Sequence, residues 1–347
     1  MMRRGVAAFL AACVVAGCSP VNPYYDATQP HHTPHGFRNL YSYAHPGTLD
    51  FWRWQFDRWA QGLPPPPTES LAPVVADTAW LKEPSSGVRV SWVGHSTLLV
   101  QLGRFNLLTD PVFSERASPF GFMGPRRHQP PGIALADLPH IDAVVISHNH
   151  YDHLDFESVK ALAAQPGGPP VFMVPLGVDV WFRQNVPEVT DLRPLDWWGQ
   201  TVVGDAILTL LPVQHWSART PFDRNVSLWG AWAVRTREPE FNFLFGGDFG
   251  YSKDIATIGE RMGPFDLAAL PIGAYAPRWF MRGHHMNPTE AVQAHRELGA
   301  RASVAIHWGT FELTDEALDQ PPRDLARARR YAGVATDEFF VMRHGES

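Results

Sequence analysis

Residues 141–155 read IDAVVISHNHYDHLD, an apolar run of strand length that ends in three histidines, an asparagine and two aspartates. A short continuous apolar run between loop signals marks a buried strand, so the residues after it leave a sheet from inside the fold. A solvated turn has no need of three imidazoles. The motif therefore restricts the chain to a fold that gathers polar donors at strand ends.

His148 and His150 stand two apart, Asp152 follows two later, and His153 comes directly after it. On an irregular turn, the first pair can face one centre while Asp152 and His153 face a second. The spacing differs from HExxH, in which two histidines four apart share a helix face. Neutral imidazole with carboxylate suits a borderline divalent cation such as Zn²⁺, and catalytic sites keep a position open for water.

Such a centre needs further donors, each at a strand end. Gln214-His215 follows AILTLLPV, Gly247-Asp248 follows FNFLFG, and His307 follows SVAI. Taken singly, His215 or His307 reads as readily as a core histidine. Together with the motif they complete a set of seven: His148, His150, Asp152, His153, His215, Asp248 and His307.

The segments around these residues fit that context. VRVSWV, TLLVQL and FNLLTD read as consecutive strands, and AVVIS, VFMVP, AILTLLPV, SLWGAWAVRT, FNFLFGG, LAALPI and SVAIH as further ones. Helical stretches fall near 155–165, 176–185, 254–262, 288–299 and 322–332. Strands come first and helices arrive later between buried strands, which predicts an α/β (α+β) chain of two sheets covered by helices. Asn287-Pro288-Thr289-Glu290 opens a helix, with Asn287 as N-cap and proline in the first turn.

The net charge of −6 and pI near 6.2 supply no basic field for nucleic acid, which is excluded as a partner on bulk charge. Cys13 and Cys18 are the only cysteines, and both lie in the opening MMRRGVAAFLAACVVAGC. That segment has two arginines and then an apolar stretch shorter than the ~20 residues of a membrane span, so residues 1–17 read as an export signal. Val15-Ala16-Gly17-Cys18 resembles a bacterial lipobox, implying a lipidated Cys18, a membrane surface as partner and residence in the cell envelope, facing the periplasm or on the outer membrane. The mature chain would then hold no thiol, and any metal must be bound by histidine and carboxylate.

Residues 18–87 carry NPYYDATQPHHTPHG, an aromatic helix-like piece LDFWRWQFDRW, and four consecutive prolines, Pro64 to Pro67. Proline runs favour extended polyproline geometry. The segment is expected to be a tether or strap, with His31, His32 and His35 solvated. Residues 88–347 are expected to form the catalytic domain.

The donor set, in order, resembles the metal motifs of the metallo-β-lactamase fold, an αββα sandwich with a dinuclear site between two mixed sheets. Further blocks, including WVGHSTLLV, TDPVFSERASPFGFMGP, LDWW, QHWSART, GGDFGY, GPFDLAALPIGAYAPRWFM, AIHWGTF and FFVMRHGES, resemble N-acylphosphatidylethanolamine-hydrolysing phospholipase D across residues 88–347. That resemblance implies two zinc ions, one held by His148, His150 and His215 and the other by Asp152, His153 and His307, with Asp248 bridging. It also implies that Asp110 orients a ligand histidine, the alternative being a turn cap, and that His285 stands at the site entrance. His95 would support the site or pack beside it. A homodimer is implied as well.

Two metals can activate a water for in-line attack on a phosphodiester. The expected reaction is hydrolysis of an N-acylated ethanolamine phospholipid to phosphatidic acid and a fatty acid ethanolamide, with Asp152 and Asp248 as catalytic residues. Beside such a site, Tyr275, Arg278, Trp279, Phe280 and Met281 would contact acyl chains, with Arg278 or Arg282 meeting phosphate. An aromatic run beside arginine otherwise reads as buried packing. A lactone, another phosphodiester or a cyclic nucleotide is the alternative substrate on the same dinuclear site. A tethered, non-catalytic binding module is the reading from outside enzymology.

Overall fold

The apolar runs of the sequence become strands that alternate between two different packing partners. Along residues 143–146, Ala143 and Val145 face one apolar cluster while Val144 and Ile146 face another. The first cluster joins Trp92, Leu98, Val100 and Met173 to Leu208, Trp232, Val234 and Phe245, and so lies between two sheets. The second joins Val93, Leu99, Leu108 and Phe172 to Val159, Leu162 and Phe182, which belong to helices on the outer face. This is the helix–sheet–sheet–helix layering that the residue pattern predicts.

The computed structural model describes residues 21–347 apart from residues 44, 63, 65–66, 68–70 and 84–86. The expected export signal, Cys18 and Pro65 and Pro66 of the proline run lie outside the described residues. Among the described residues no helix is long and apolar enough to cross a membrane.

The six-stranded sheet runs in chain order through Val88–Gly94, Thr97–Leu102, Phe105–Thr109, Ala143–Val145, Val171–Pro175 and Leu192–Leu195. The seven-stranded sheet does the same through Gln200–Val203, Ala206–Leu211, Ala231–Arg237, Glu240–Phe245, Leu267–Pro271, Ala302–Ile306 and Phe339–Phe340. Each sheet starts as an antiparallel meander and continues with parallel strands. Parallel neighbours need long crossovers, and helices supply most of them: Phe156–Ala163, Val178–Asn185, Asp254–Met262, Pro288–Glu297 and Gln320–Ala332. Asn287 caps the fourth of these, its side chain accepting from Glu290 N–H at 2.9 Å while Glu290 reaches back to Asn287 N–H.

Leu192–Leu195 and Gln200–Val203 carried no clear strand signal. Both are sheet-edge strands, half-buried and partly polar, and the first contains Pro194, which an edge tolerates.

The expectation of a solvated tether is corrected for residues 21–62. His31 and His32 are buried, and their Nε2 atoms lie 2.7 and 3.0 Å from the two carboxylate oxygens of Asp196. Asp26 N–H donates to His32 Nδ1, so the His32 proton sits on Nε2 and is given to Asp196. The Tyr24 hydroxyl donates to Asp179. His35 remains exposed. A carboxylate at the start of the 196–199 turn needs donors, and the N-terminal segment provides them. Further on, the helix Thr48–Gln61 stacks Trp54 on Phe280, with ring centres 4.9 Å apart, and Trp54 Nε1 donates to Asp315 at 2.9 Å.

Candidate metal centre

The loop 146–155 begins where the strand Ala143–Val145 ends, beside the end of Phe105–Thr109. Asp110, next after that neighbouring strand, accepts from Ser147 N–H at 2.7 Å and from Ser147 Oγ at 2.5 Å. Its Oδ2 also accepts from His153 Nδ1 at 2.6 Å. With its own proton directed at Asp110, the Ser147 oxygen accepts from His148 Nδ1, 2.9 Å away. Both imidazoles thus hold a proton on Nδ1 and turn Nε2 toward the centre, the orientation that a metal ligand requires. His215 is fixed the same way, Nδ1 donating to the His284 carbonyl at 2.9 Å.

Backbone conformation aims these groups. His95, Asp110 and His307 have φ of 53°, 30° and 59°, left-handed conformations that cost a non-glycine residue on the order of 1–3 kcal/mol and cluster at functional sites. Gly247, before Asp248, has φ of 60°, and a Cβ there would lie 2.5 Å from the Cβ of Ser147. Only glycine lets this turn close on the residue that holds Asp110.

Two groups of donor atoms converge. His148, His150 and His215 form one, and His95, Asp152, His153 and His307 the other, the ligand atoms of each group lying within 4.8 Å of one another. Asp248 Oδ2 lies 3.0 Å from Nε2 of both His153 and His307, and its charge also acts on His148, His150 and His215. Asp248 therefore stands between the groups. His95 Nε2 lies 3.0 Å from Asp152 Oδ2.

Among the described residues, Nε2 of His150 and His215 and Oδ1 of Asp248 are buried and make no hydrogen bond, and Nε2 of His153 and His307 faces only the carboxylate oxygens of Asp152 and Asp248. A buried polar atom without a partner costs roughly 1–3 kcal/mol. A concentration of such atoms on lone-pair donors fits divalent cations, and these clusters could hold them.

The electrostatics agree. Burial works against the charged forms of Asp152 and Asp248, but the surrounding imidazoles, His153 foremost, outweigh it and hold both carboxyls well below the usual range. Burial opposes a charged His153 too, and Asp248, Asp152 and Asp110 overcome it and raise that ring well above its ordinary value. His307 is raised to about 9 by Asp248 and Asp152 against burial. His148 and His215 are pushed well below their usual value, mainly by burial, and His150 and His285 to about 4. The centre thus keeps Asp152 and Asp248 ionised and His148, His150 and His215 neutral, the ligand state a cation selects, and a cation beside Asp152 and Asp248 would take the place of the second proton that these carboxylates favour on His153 and His307.

Several residues that stabilise the centre had no separate sequence signal. Arg219 donates to the carbonyls of Asn149 and Leu154 at 2.9 and 2.8 Å, and its guanidinium lies 3.9 Å from the centre of the Tyr151 ring. Arg219 therefore grips the ligand loop through the backbone of Asn149 and Leu154 and the ring of Tyr151. The Asn39 side chain donates to the His215 carbonyl at 2.8 Å and accepts from its N–H at 3.1 Å. The Tyr43 hydroxyl lies 3.0 Å from His284 Nδ1. The strap thus braces the strand end that carries His215.

The centre opens into a cavity of about 760 Å³ lined by His150, Asp152 and Asp248 at its base and by Phe51, Trp54, Trp216, Phe280 and Met281 on its walls. His285 also lines it, with Nδ1 3.8 Å from Asp248 Oδ2. Tyr275 and Arg278 do not meet it, a correction to their expected substrate contacts. The Tyr275 hydroxyl donates to Asp324 at 2.6 Å, and Arg278 is held by both carboxylate oxygens of Glu290 at 3.0 and 2.8 Å and by the His285 carbonyl. Trp279 is exposed under Arg53, and Arg282 points to solvent. The short helix Arg278–Met281 turns only part of this run inward.

The pattern of the beta-lactamase superfamily domain matches residues 105–308. The chain belongs to the metallo-β-lactamase superfamily. It is a metal-dependent hydrolase of that superfamily with the two mixed sheets and flanking helices of its fold. It is 42% identical over 269 residues to N-acyl-phosphatidylethanolamine-hydrolyzing phospholipase D 1 of Caenorhabditis elegans, covering 74% of this chain and 73% of that one. It is 44% identical to an uncharacterised protein of Mycobacterium tuberculosis over 70% of this chain, though over 64% of that protein's length. A possible metal-dependent hydrolase from Veillonella parvula shares the fold, with a TM-score of 0.60 at 17% identity over 76% of this chain and 98% of the other.

Proposed function

We propose that this superfamily hydrolase cleaves the phosphodiester of N-acylphosphatidylethanolamine in the manner of a phospholipase D, giving phosphatidic acid and an N-acylethanolamine. The observation that carries this reading is the cavity. Aromatic and aliphatic walls lead from the surface to ionised carboxylates and lone-pair imidazoles, which suits a substrate with a phosphate between apolar chains. The likeness to the nematode phospholipase supports the same substrate class.

In this reading His148, His150 and His215 would hold one Zn²⁺ and Asp152, His153 and His307 a second, with the Asp248 carboxylate available to either group. Zinc so bound would lower the pKa of water and screen the phosphate charge. The chain's own groups do the rest. Asp152, kept ionised and fixed by His95, accepts a proton and orients the attacking water, while Asp110 and Ser147 keep the imidazoles in one tautomer. The apolar walls exclude bulk water from the reacting phosphorus.

The membrane is the source of substrate in this proposal. Leu49, Trp52, Phe56 and Trp59 form an exposed stripe on the helix whose Phe51 and Trp54 line the cavity, and tryptophan-rich stripes suit a bilayer interface. A lipidated Cys18 at the bacterial envelope belongs to the same reading. Mass spectrometry of the products from a defined N-acylphosphatidylethanolamine tests it. Release of an N-acylethanolamine is expected, and turnover of a lactone with none of the phospholipid overturns it.

A further inference from the structure

Arg224 is the one permanently charged base among the described residues lining the metal cavity, whose other nitrogen groups are the imidazoles of His45, His150, His284 and His285 and the indoles of Trp54 and Trp216. Its guanidinium lies 4.2 Å from the centre of the Trp216 ring, and Trp216 in turn packs on His150 with ring centres 4.3 Å apart. The cation therefore stands one aromatic ring away from a residue of the metal centre. Its Nη2 approaches His45 Nδ1 at 3.4 Å, and His45 leans on Tyr43 and His284.

The backbone under Arg224 is fixed. Asp223 accepts from the N–H groups of Arg219 and Thr220, and Asn225 N–H donates to Ser217 at 2.8 Å. The other arginines nearby are occupied: Arg278 by Glu290, Arg58 by Asp315, Arg219 by two backbone carbonyls. Among the described residues Arg224 makes no ion pair with a carboxylate, and its desolvation lowers its own pKa. A guanidinium offers five donors in a planar fork that matches the oxygens of a phosphate or carboxylate. Seated over an indole, with no carboxylate beside it and facing a cavity, the fork is presented to whatever enters.

We infer that Arg224 binds the anionic group of the substrate at the cavity mouth and selects an anionic phosphoric ester over a neutral one. The inference deepens the phospholipase reading and rests on it for the identity of the ester. It also replaces the sequence-based assignment of phosphate contact to Arg278 or Arg282. Arg224 acts as a specificity residue and takes no part in bond making.

The test uses the metal-loaded full chain, wild type beside Arg224→Gln and Arg224→Lys, with three substrates: N-acylphosphatidylethanolamine in mixed micelles, bis(p-nitrophenyl) phosphate and a neutral p-nitrophenyl ester. For Arg224→Gln the ratio of kcat/KM on either phosphodiester to that on the neutral ester falls roughly 10–100-fold, through KM, as loss of a charge-assisted contact implies. Arg224→Lys recovers part of that loss. The inhibition constant of inorganic phosphate, read on whichever substrate is turned over, rises by a similar factor in Arg224→Gln. This arm holds even if the phospholipid is not hydrolysed, so failure of the phospholipase reading is seen separately. An unchanged ratio, an unchanged phosphate inhibition constant, or a loss carried by kcat with KM constant overturns the proposal.

Discussion

Asp110 Oδ2 stands 2.6 Å from His153 Nδ1, with both side chains fully enclosed. The same carboxylate takes both donors of Ser147, and Ser147 fixes His148. One buried acid thus sets the tautomers of two imidazoles in different donor groups.

Asp110→Asn replaces one acceptor oxygen with an amide that competes to donate. Metal affinity is expected to fall ~10–100-fold, as for other partners of metal-bound histidine. Competition with a chromophoric chelator measures this, and far-UV circular dichroism checks that the fold is kept.

Asp152→Asn keeps the shape of the side chain but removes its charge and half its acceptor capacity. Hydrolysis is expected to drop by ~10²–10⁴ in kcat, the range for loss of a positioned proton acceptor, with the fold unchanged. Steady-state kinetics on bis(p-nitrophenyl) phosphate reads the loss. Activity within a few-fold of wild type would remove Asp152 from its role.

Asp196→Asn tests the clasp on the N-terminal segment. Burial works against the Asp196 charge, but the bonds from His31 and His32 and from Trp197 N–H outweigh it and hold the carboxyl below its usual value. A depressed carboxylate contributes stability above the unfolded pKa of ~3.9, and the contribution is lost as pH falls through the lower folded value. The variant is expected to be less stable at pH 7 by ~1–3 kcal/mol, with the difference from wild type shrinking below pH ~4. Urea melts at pH 7 and pH 3.5 make the comparison.

Asp254→Asn is expected to act in the opposite direction. Burial, only partly offset by the Ser252 hydroxyl at 2.7 Å, pushes the Asp254 carboxyl up to about 6. The folded state then favours the protonated form, so this group's contribution is best below pH ~4 and is lost as pH rises through about 6. The amide is expected to gain on the order of 2 kcal/mol at pH 8 and nothing at pH 4. A variant less stable than wild type at pH 8 would contradict it.

Most of the fold was legible because its signals are local. Buried strands such as AVV and LAALP need apolar side chains on both faces, and the crossover helices carry caps such as Asn287. The edge strands Leu192–Leu195 and Gln200–Val203 escaped because half-buried positions need no apolar run. His31 and His32 were misread for a related reason: a buried histidine paired to a carboxylate 164 or 165 residues away looks, in its own neighbourhood, like part of a polar tether.

The sequence by itself picked out the donor residues that the fold gathers, because a donor at a strand end must follow an apolar run directly, and HNHYDH, His215, Asp248 and His307 all do. Only the tertiary structure decided how they are held and what surrounds them. Asn39 grips His215 across 176 residues, and Arg224 reaches the cavity over Trp216 while Arg278 turns away to Glu290. Such contacts join side chains whose separation has no period, so no repeat or spacing in the chain records them.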